Sequence, residues 1–186
     1  MQAESDANAA NQPAAPKVAH QRFGMPGALA TALVIAVVVV VADQLTKAAI
    51  TARYGPCGST AFVPVLGSHA GFSYVCNTGT AFSRFQDTPL VWLPVLVAVV
   101  AVVWLWVRSL STPHLLQQIA FGLILGGAVG NVIDRARLGY VVDFVDVRWS
   151  QTLRFYVFNV ADSSITIGVI LLALAFWHAE TTRSTA

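Results

Sequence analysis

Asp134, Asp143 and Asp162 stand with Asn131, Arg135 and Asn159 in a stretch otherwise apolar enough to pass for bilayer-spanning helix. Ionisable groups at membrane depth are costly, so several of them at spacings that can bring them together point to function. Asn131, Asp134 and Arg135 fall at i, i+3 and i+4 and share one helix face. Asp143 follows the β-branched pair Val141-Val142, and Asp162 opens the next apolar run. A chain that leaves the membrane after Arg135 and returns near Val160 can set both aspartates at the mouth of a helix bundle. Asn159 lies at N-cap distance before Asp162. Two carboxylates in a low-dielectric site cannot both ionise cheaply, so they share a proton. One then takes a proton from water while the other donates to a carbonyl oxygen, the chemistry of an aspartic peptidase. The dipole of the helix that Asp162 opens suggests Asp162 as the ionised partner.

Other chemistries have less support. Ser163 and Ser164 have no His nearby in sequence, and Ser at a helix start more often caps or binds a neighbouring helix. The glycines of Gly126 to Gly130 lie inside an apolar helix, where they mean close packing and not a phosphate loop. His69 is a lone His in a turn-like stretch, so no metal site is expected. Cys57 and Cys76 share one inter-helix segment, and the sequence leaves open whether they pair.

The elements that must position the aspartates follow from composition. With 186 residues, 56% hydrophobic, 11% charged and a mean hydropathy of +0.65, the chain reads as a small polytopic membrane protein. A net charge of +2, with no run among its 11 Lys and Arg, argues against a nucleic-acid partner. Residues 1–22 have the composition of a disordered tail. One membrane domain follows over 23–180, with spans expected at about 23–47, 88–107, 115–135 and 160–177, and a polar tail over 181–186. The first apolar run has a signal-peptide rival, with Val40-Val41-Ala42 as cleavage site, but its length and the membrane sequence after it favour a span.

Asp43 and Lys47 continue the helical period of the first span at i, i+4, a spacing that suits an ion pair or a simple helix-end anchor. Gly122, Gly126 and Gly130 offer a face for close helix approach. Residues 54–87 carry short strand signals at Ala61 to Val65 and Phe72 to Val75 and end in the turn-like Asn77-Thr78-Gly79. Residues 136–158 have mixed character and read as an interfacial segment. Trp92, Trp104 and Trp106 are expected at the membrane interface. This layout puts both termini on one side and both long connections on the other. Counting Lys and Arg gives four on the terminal side and seven on the long-loop side, so the positive-inside rule alone would turn the termini outward.

Five stretches in order carry a family resemblance: Asp43-Gln44-Leu45-Thr46-Lys47, Asn77-Thr78-Gly79-Thr80-Ala81-Phe82, Gly126 to Arg135, Val141-Val142-Asp143-Phe144, and Phe158-Asn159-Val160-Ala161-Asp162-Ser163. Together, over about residues 25–178, they resemble the lipoprotein signal peptidases, or signal peptidase II. The resemblance implies Asp143 and Asp162 as the catalytic pair. It implies Asn77, Gly79, Asn131, Asp134, Arg135 and Asn159 as substrate-binding residues, with Arg135 on the substrate backbone, and a supporting role for Asp43 and Lys47. The fold implied is an all-α membrane protein of four transmembrane helices, with a small extracytoplasmic β-sheet segment and an interfacial amphipathic segment. The substrate implied is a prolipoprotein cut before its diacylglyceryl-modified cysteine, by a monomer in contact with membrane lipid and without a cofactor. A bacterial inner-membrane location is implied too, with cytoplasmic termini, against the charge count, and an active site at the outer face. The long Ala-rich tail and Cys76 beside Asn77 depart from the common pattern.

Two other classes compete. A proton-coupled carrier would need carboxylates through the bilayer depth, whereas Asp43, Asp134, Asp143 and Asp162 gather near one face. A structural assembly subunit would use the glycine face for packing and the charges as anchors.

Overall fold

The computed structural model describes residues 25–55, 62–79, 92–109, 114–150, 153 and 155–184. The tail over 1–22, Cys57, Thr80 to Phe82 and the start of the second expected span lie outside them. Four helices are described, α1 (Met25–Tyr54), α2 (Trp92–Ser109), α3 (Leu115–Leu138) and α4 (Val160–Ser184). Of these, α1, α3 and α4 contain segments long and apolar enough to cross a membrane, at Gly27–Tyr54, Leu115–Leu138 and Val160–His178. Strands β1 (Val63–Leu66), β2 (Ala70–Asn77) and β3 (Val141–Val147) form an antiparallel sheet in the order β1-β2-β3.

The central helix is α3, with α1 and α4 packed against it. The buried seam of α1 runs Ala28, Ala32, Ala36, Val39, Asp43, Lys47, Ile50, so small residues give way to an acid, a base and then an apolar anchor along one face. Facing that seam are Gly122 and Gly126. A Cβ on either would stand 2.7 Å from a carbonyl oxygen of α1, that of Ala32 or Ala36. Glycine is therefore what lets the two backbones approach, as the spacing predicts. Gly126→Val is expected to weaken the bundle by about 1–3 kcal/mol through forced separation of α1, read as a lower melting temperature in detergent; an unchanged value would mean the contact is not tight. The outer face of α1 exposes Val34, Val37, Val38, Val41 and Leu45, as a lipid-facing surface does.

The sheet docks on the C-terminal end of α1, where Ile50 packs with Tyr74, Val142 and Phe144. One expectation is corrected here. Residues 136–158 are not simply an interfacial segment. α3 continues to Leu138, Gly139 closes it in the left-handed region (φ 81°), and its N–H donates to Arg135 O at 3.0 Å. Gly139 is thus a helix cap. β3 follows at once, and residues 155–158 return beside it, with Phe155 N–H to Val147 O at 2.8 Å and Val145 N–H to Phe158 O at 2.8 Å. Both faces of β3 are covered over Val141 to Phe144, so it lacks the alternation that marks a one-sided strand. Near the end of α2, Trp106 is buried and donates its indole N–H to Gln118 on α3 at 2.8 Å, whereas Trp104 is exposed. At its end, α4 runs past residue 177 to Ser184.

Candidate active site

The site is assembled where α4 begins. Asn159 is its N-cap. The Asn159 Oδ1 accepts the Asp162 N–H at 2.8 Å, and Asp162 Oδ2 accepts the Asn159 N–H at 3.2 Å, a reciprocal capping arrangement. A residue type chosen for a helix start thereby holds a carboxylate in place. Ser163 and Ser164 donate to the carbonyls of Asn159 and Val160 at 2.9 and 2.8 Å, so they bond back along their own helix and neither cap it nor reach a neighbouring one through these bonds.

Asp143 reaches the same point from β3. Asn159 Nδ2 donates to Asp143 Oδ1 at 2.7 Å, and Asn77 Nδ2 donates to Asp143 Oδ2 at 3.1 Å. The second contact follows from register: Asn77 pairs with Val141 and Val75 with Asp143, so Asn77 and Asp143 are diagonal neighbours across the ladder. Asp143 is 2% exposed. Burial pushes its carboxyl up to about 7, with the nearby Asp162 charge adding to the rise and the Asn77 and Asn159 hydrogen bonds and Lys47 charge opposing it. The register shift in β2 between Phe72 and Val75 marks a bulge in the strand that faces Asp143.

A second tier lies beneath, on α1 and α3. Asn131 Nδ2 donates to Asp162 Oδ1 at 2.8 Å. Its own Oδ1 accepts from Lys47 Nζ and from Asn159 Nδ2, both at 3.1 Å. Lys47 sits between Asp43 at 2.8 Å and Asp134 at 2.9 Å, with all three side chains almost wholly buried. Asp43 Oδ1 accepts the Ala161 N–H at 3.0 Å, which binds the start of α4 to α1. A Cβ at Gly130 would stand 2.6 Å from Asp43 Oδ2, so this glycine makes room for the carboxylate. Asp134 accepts from Gln44 Nε2 at 2.9 Å and from the Val142 N–H at 3.0 Å. Arg135 donates to Gly79 O at 3.0 Å, and the Gly79 N–H donates to Asn77 Oδ1 at 3.0 Å, so Arg135 grips the turn that carries Asn77.

All ten residues singled out from the sequence therefore join one connected network. Asp143, Asp162, Asn77 and Asn159 form its upper part, and Asn131 joins it to the tier beneath. Asp43, Lys47 and Asp134 form an ionic base, and Arg135 and Gly79 tie in the turn. Gln44 is a member that the sequence reading did not single out; its signal was its place between Asp43 and Lys47 in the same motif. Also unanticipated is a separate extramembrane cluster, where buried Asp146 accepts from Ser73 Oγ at 2.6 Å and pairs with Arg148 at 2.6 Å. The Arg148 guanidinium stacks 3.8 Å from the Phe62 ring centre and helps hold β1 onto the sheet. A cavity of about 490 Å³ at that far end of the sheet, lined by Phe62, Ser68, His69, Arg148, Trp149 and Ser150, contains none of the site residues. Cys76 is disulfide-bonded. Among the described residues, no group of three His, Cys, Asp or Glu could hold a metal ion.

The comparisons with known proteins agree with one another. The sequence profile described as signal peptidase (SPase) II matches residues 35–178. A lipoprotein signal peptidase of Thermosynechococcus vestitus is 42% identical over 140 residues, 73% of this chain and 84% of that protein. One from Pseudomonas fluorescens is 37% identical over 171 residues, 90% of this chain and 96% of its own length. A solved bacterial membrane enzyme, determined by the in meso method, aligns with a TM-score of 0.71 at 30% identity, covering 88% of this chain and 94% of that one. A second, described in the same way, gives 0.68 at 32% identity, with 84% and 96% covered. Matched over most of its length in profile, sequence and fold, the chain belongs to the signal peptidase II family, the lipoprotein signal peptidases.

Proposed function

We propose that this protein is an aspartic endopeptidase that removes signal peptides from prolipoproteins, cutting before the diacylglyceryl-modified cysteine. The observation that supports this most is the convergence of Asp143 and Asp162, from separate elements, onto two carboxamides bonded to each other, Asn159 on Asp143 and Asn131 on Asp162. Asp143, with its carboxyl raised to about 7, is the proton carrier, and Asp162, held at the first turn of α4, is the ionised partner. Asp162 takes a proton from water as the water oxygen attacks the scissile carbonyl carbon. Asp143 gives its proton to the carbonyl oxygen, so a neutral gem-diol forms and the pair has exchanged charge states. Collapse of the diol returns a proton to the leaving amine and restores the pair. The chain sits in the bacterial inner membrane as four spans, α2 being the fourth, with both termini cytoplasmic. The aspartates then lie at the outer interface, where the acyl chains of a lipidated cysteine can stay in the bilayer during cleavage.

The test is the pH dependence of turnover on a lipidated prolipoprotein. Protonated Asp143 is required, and its proton is lost as pH rises through about 7, so kcat/KM is expected to fall about tenfold per pH unit above that point. At low pH the ionised partner is lost and the rate falls again. A profile without an alkaline limb rules out Asp143 as the acid, and one without an acid limb rules out the shared-proton pair.

A further inference from the structure

The three asparagines that touch the aspartates have their carboxamides each held one way round by a group that can only donate. Asn77 Oδ1 accepts the Gly79 N–H at 3.0 Å, Asn131 Oδ1 accepts the Lys47 ammonium at 3.1 Å, and Asn159 Oδ1 accepts the Asp162 N–H at 2.8 Å. Flipping any one of them would set its NH2 against a donor and its oxygen against a carboxylate, two unfavourable contacts at once. All three NH2 groups are therefore aimed at the pair: Asn77 at Asp143 Oδ2 (3.1 Å), Asn159 at Asp143 Oδ1 (2.7 Å) and Asn131 at Asp162 Oδ1 (2.8 Å). The Asn159 backbone N–H occupies Asp162 Oδ2 at 3.2 Å. Every oxygen of the pair accepts one N–H, and a carboxylate oxygen has about two acceptor sites.

We propose that these carboxamides form a one-way donor shell that confines the proton shared by Asp143 and Asp162 to the lone pairs turned away from the shell. There it is within reach of the other aspartate or a substrate carbonyl and of nothing else. The idea rests on the aspartic reading above and deepens it: the asparagines act as positioning residues for a proton. Lys47 belongs to the same device, because its ammonium fixes Asn131.

Asn→Asp substitution separates the two ends of each carboxamide. Asn77→Asp keeps the acceptor for the Gly79 N–H and Asn131→Asp keeps the partner of Lys47, while both lose the donor to the pair. An oxygen then faces each carboxylate where an N–H stood. For both variants kcat is expected to fall at least ~100-fold with KM within about threefold, and the limb of the aspartate each one touches to move up by about one pH unit or more, the alkaline limb of Asp143 in Asn77→Asp and the acid limb of Asp162 in Asn131→Asp. The other charged groups around the pair, Asp43 and Lys47 from α1 and Asp134 and Arg135 from α3, are unaltered in these variants. Asn77 is half-buried at a strand end, so Asn77→Asp carries the test if Asn131→Asp fails to fold. A change in KM alone, with kcat and both limbs as in wild type, overturns the shell. If wild type lacks a two-limbed profile or Asp143→Asn keeps activity, the aspartic reading itself is lost and the shell with it. If both of those hold and Asn77→Asp behaves as wild type, only the shell falls.

Discussion

Asp143→Asn and Asp162→Asn are each expected to lower turnover of a lipidated prolipoprotein by about 10³-fold or more, with the fold retained. Each change keeps the side-chain volume and removes the group that gives or takes the proton. The surroundings make the loss sharper at Asp143. Two NH2 groups already point at its two oxygens, from Asn159 at 2.7 Å and Asn77 at 3.1 Å, so an amide there must turn its own NH2 toward one of them. That donor–donor contact costs about 1–3 kcal/mol, small enough to leave a folded protein whose inactivity can be read cleanly. The double variant should be no worse than either single one, because residues that act as a unit are not additive. The measurement is single-turnover cleavage with a melting curve for each variant. Activity within tenfold of wild type in either folded single variant removes that aspartate from the chemistry and favours a structural subunit.

Lys47→Met is expected to be the most destabilising single change in the bundle, by about 3–5 kcal/mol. Its ammonium lies 2.8 Å from Asp43 and 2.9 Å from Asp134, and both acids are buried to 3% exposure or less. Removing the cation leaves two uncompensated carboxylates side by side. The argument is asymmetric: a buried ion pair contributes little over well-packed apolar groups, yet breaking one partner away is costly. Lys47→Met combined with Asp43→Asn and Asp134→Asn should therefore melt higher than Lys47→Met alone. The reverse order would mean that water reaches the cluster and relieves the orphaned charges.

Much of this site could be read from sequence because its parts are local. Asn131, Asp134 and Arg135 share a face by helical spacing, and Asn159 and Asp162 sit at capping distance, so their grouping needs only helix geometry. Asp43 and Lys47 extend the seam period of α1, which is why an i, i+4 pair proves to be an ion pair and not a bare anchor. What could not be read is pairing across long separations. Lys47 meets Asn131 across 84 positions, and Asn77 meets Asp143 across 66. β3 was hidden because burial on both faces removes the alternation that marks a strand, while Asp146, Arg148 and Trp149 gave its neighbourhood an interfacial look. Trp106 shows the same limit: ring preference puts tryptophan at the interface, but its N–H has a buried partner in Gln118 that no spacing reveals. Four spans and their orientation rest on the family reading, since the long-loop charges that confuse the positive-inside count include Lys47 and Arg135, both inside the network.

The small-residue seam between α1 and α3 also sets how the protein can meet bilayers of different thickness. Ala32, Ala36 and Asp43 lie over Gly122, Gly126 and Gly130 in strict succession, so the seam fixes the axial register of the two helices. A slip of one residue moves α1 by about 1.5 Å, more than the hydrogen bonds from Lys47 tolerate. Helices that slide freely can shorten or lengthen a hydrophobic belt, but α1 and α3 cannot do so without dismantling the buried polar network. In a thinner or thicker membrane the bundle must tilt as one body or deform the lipid around it.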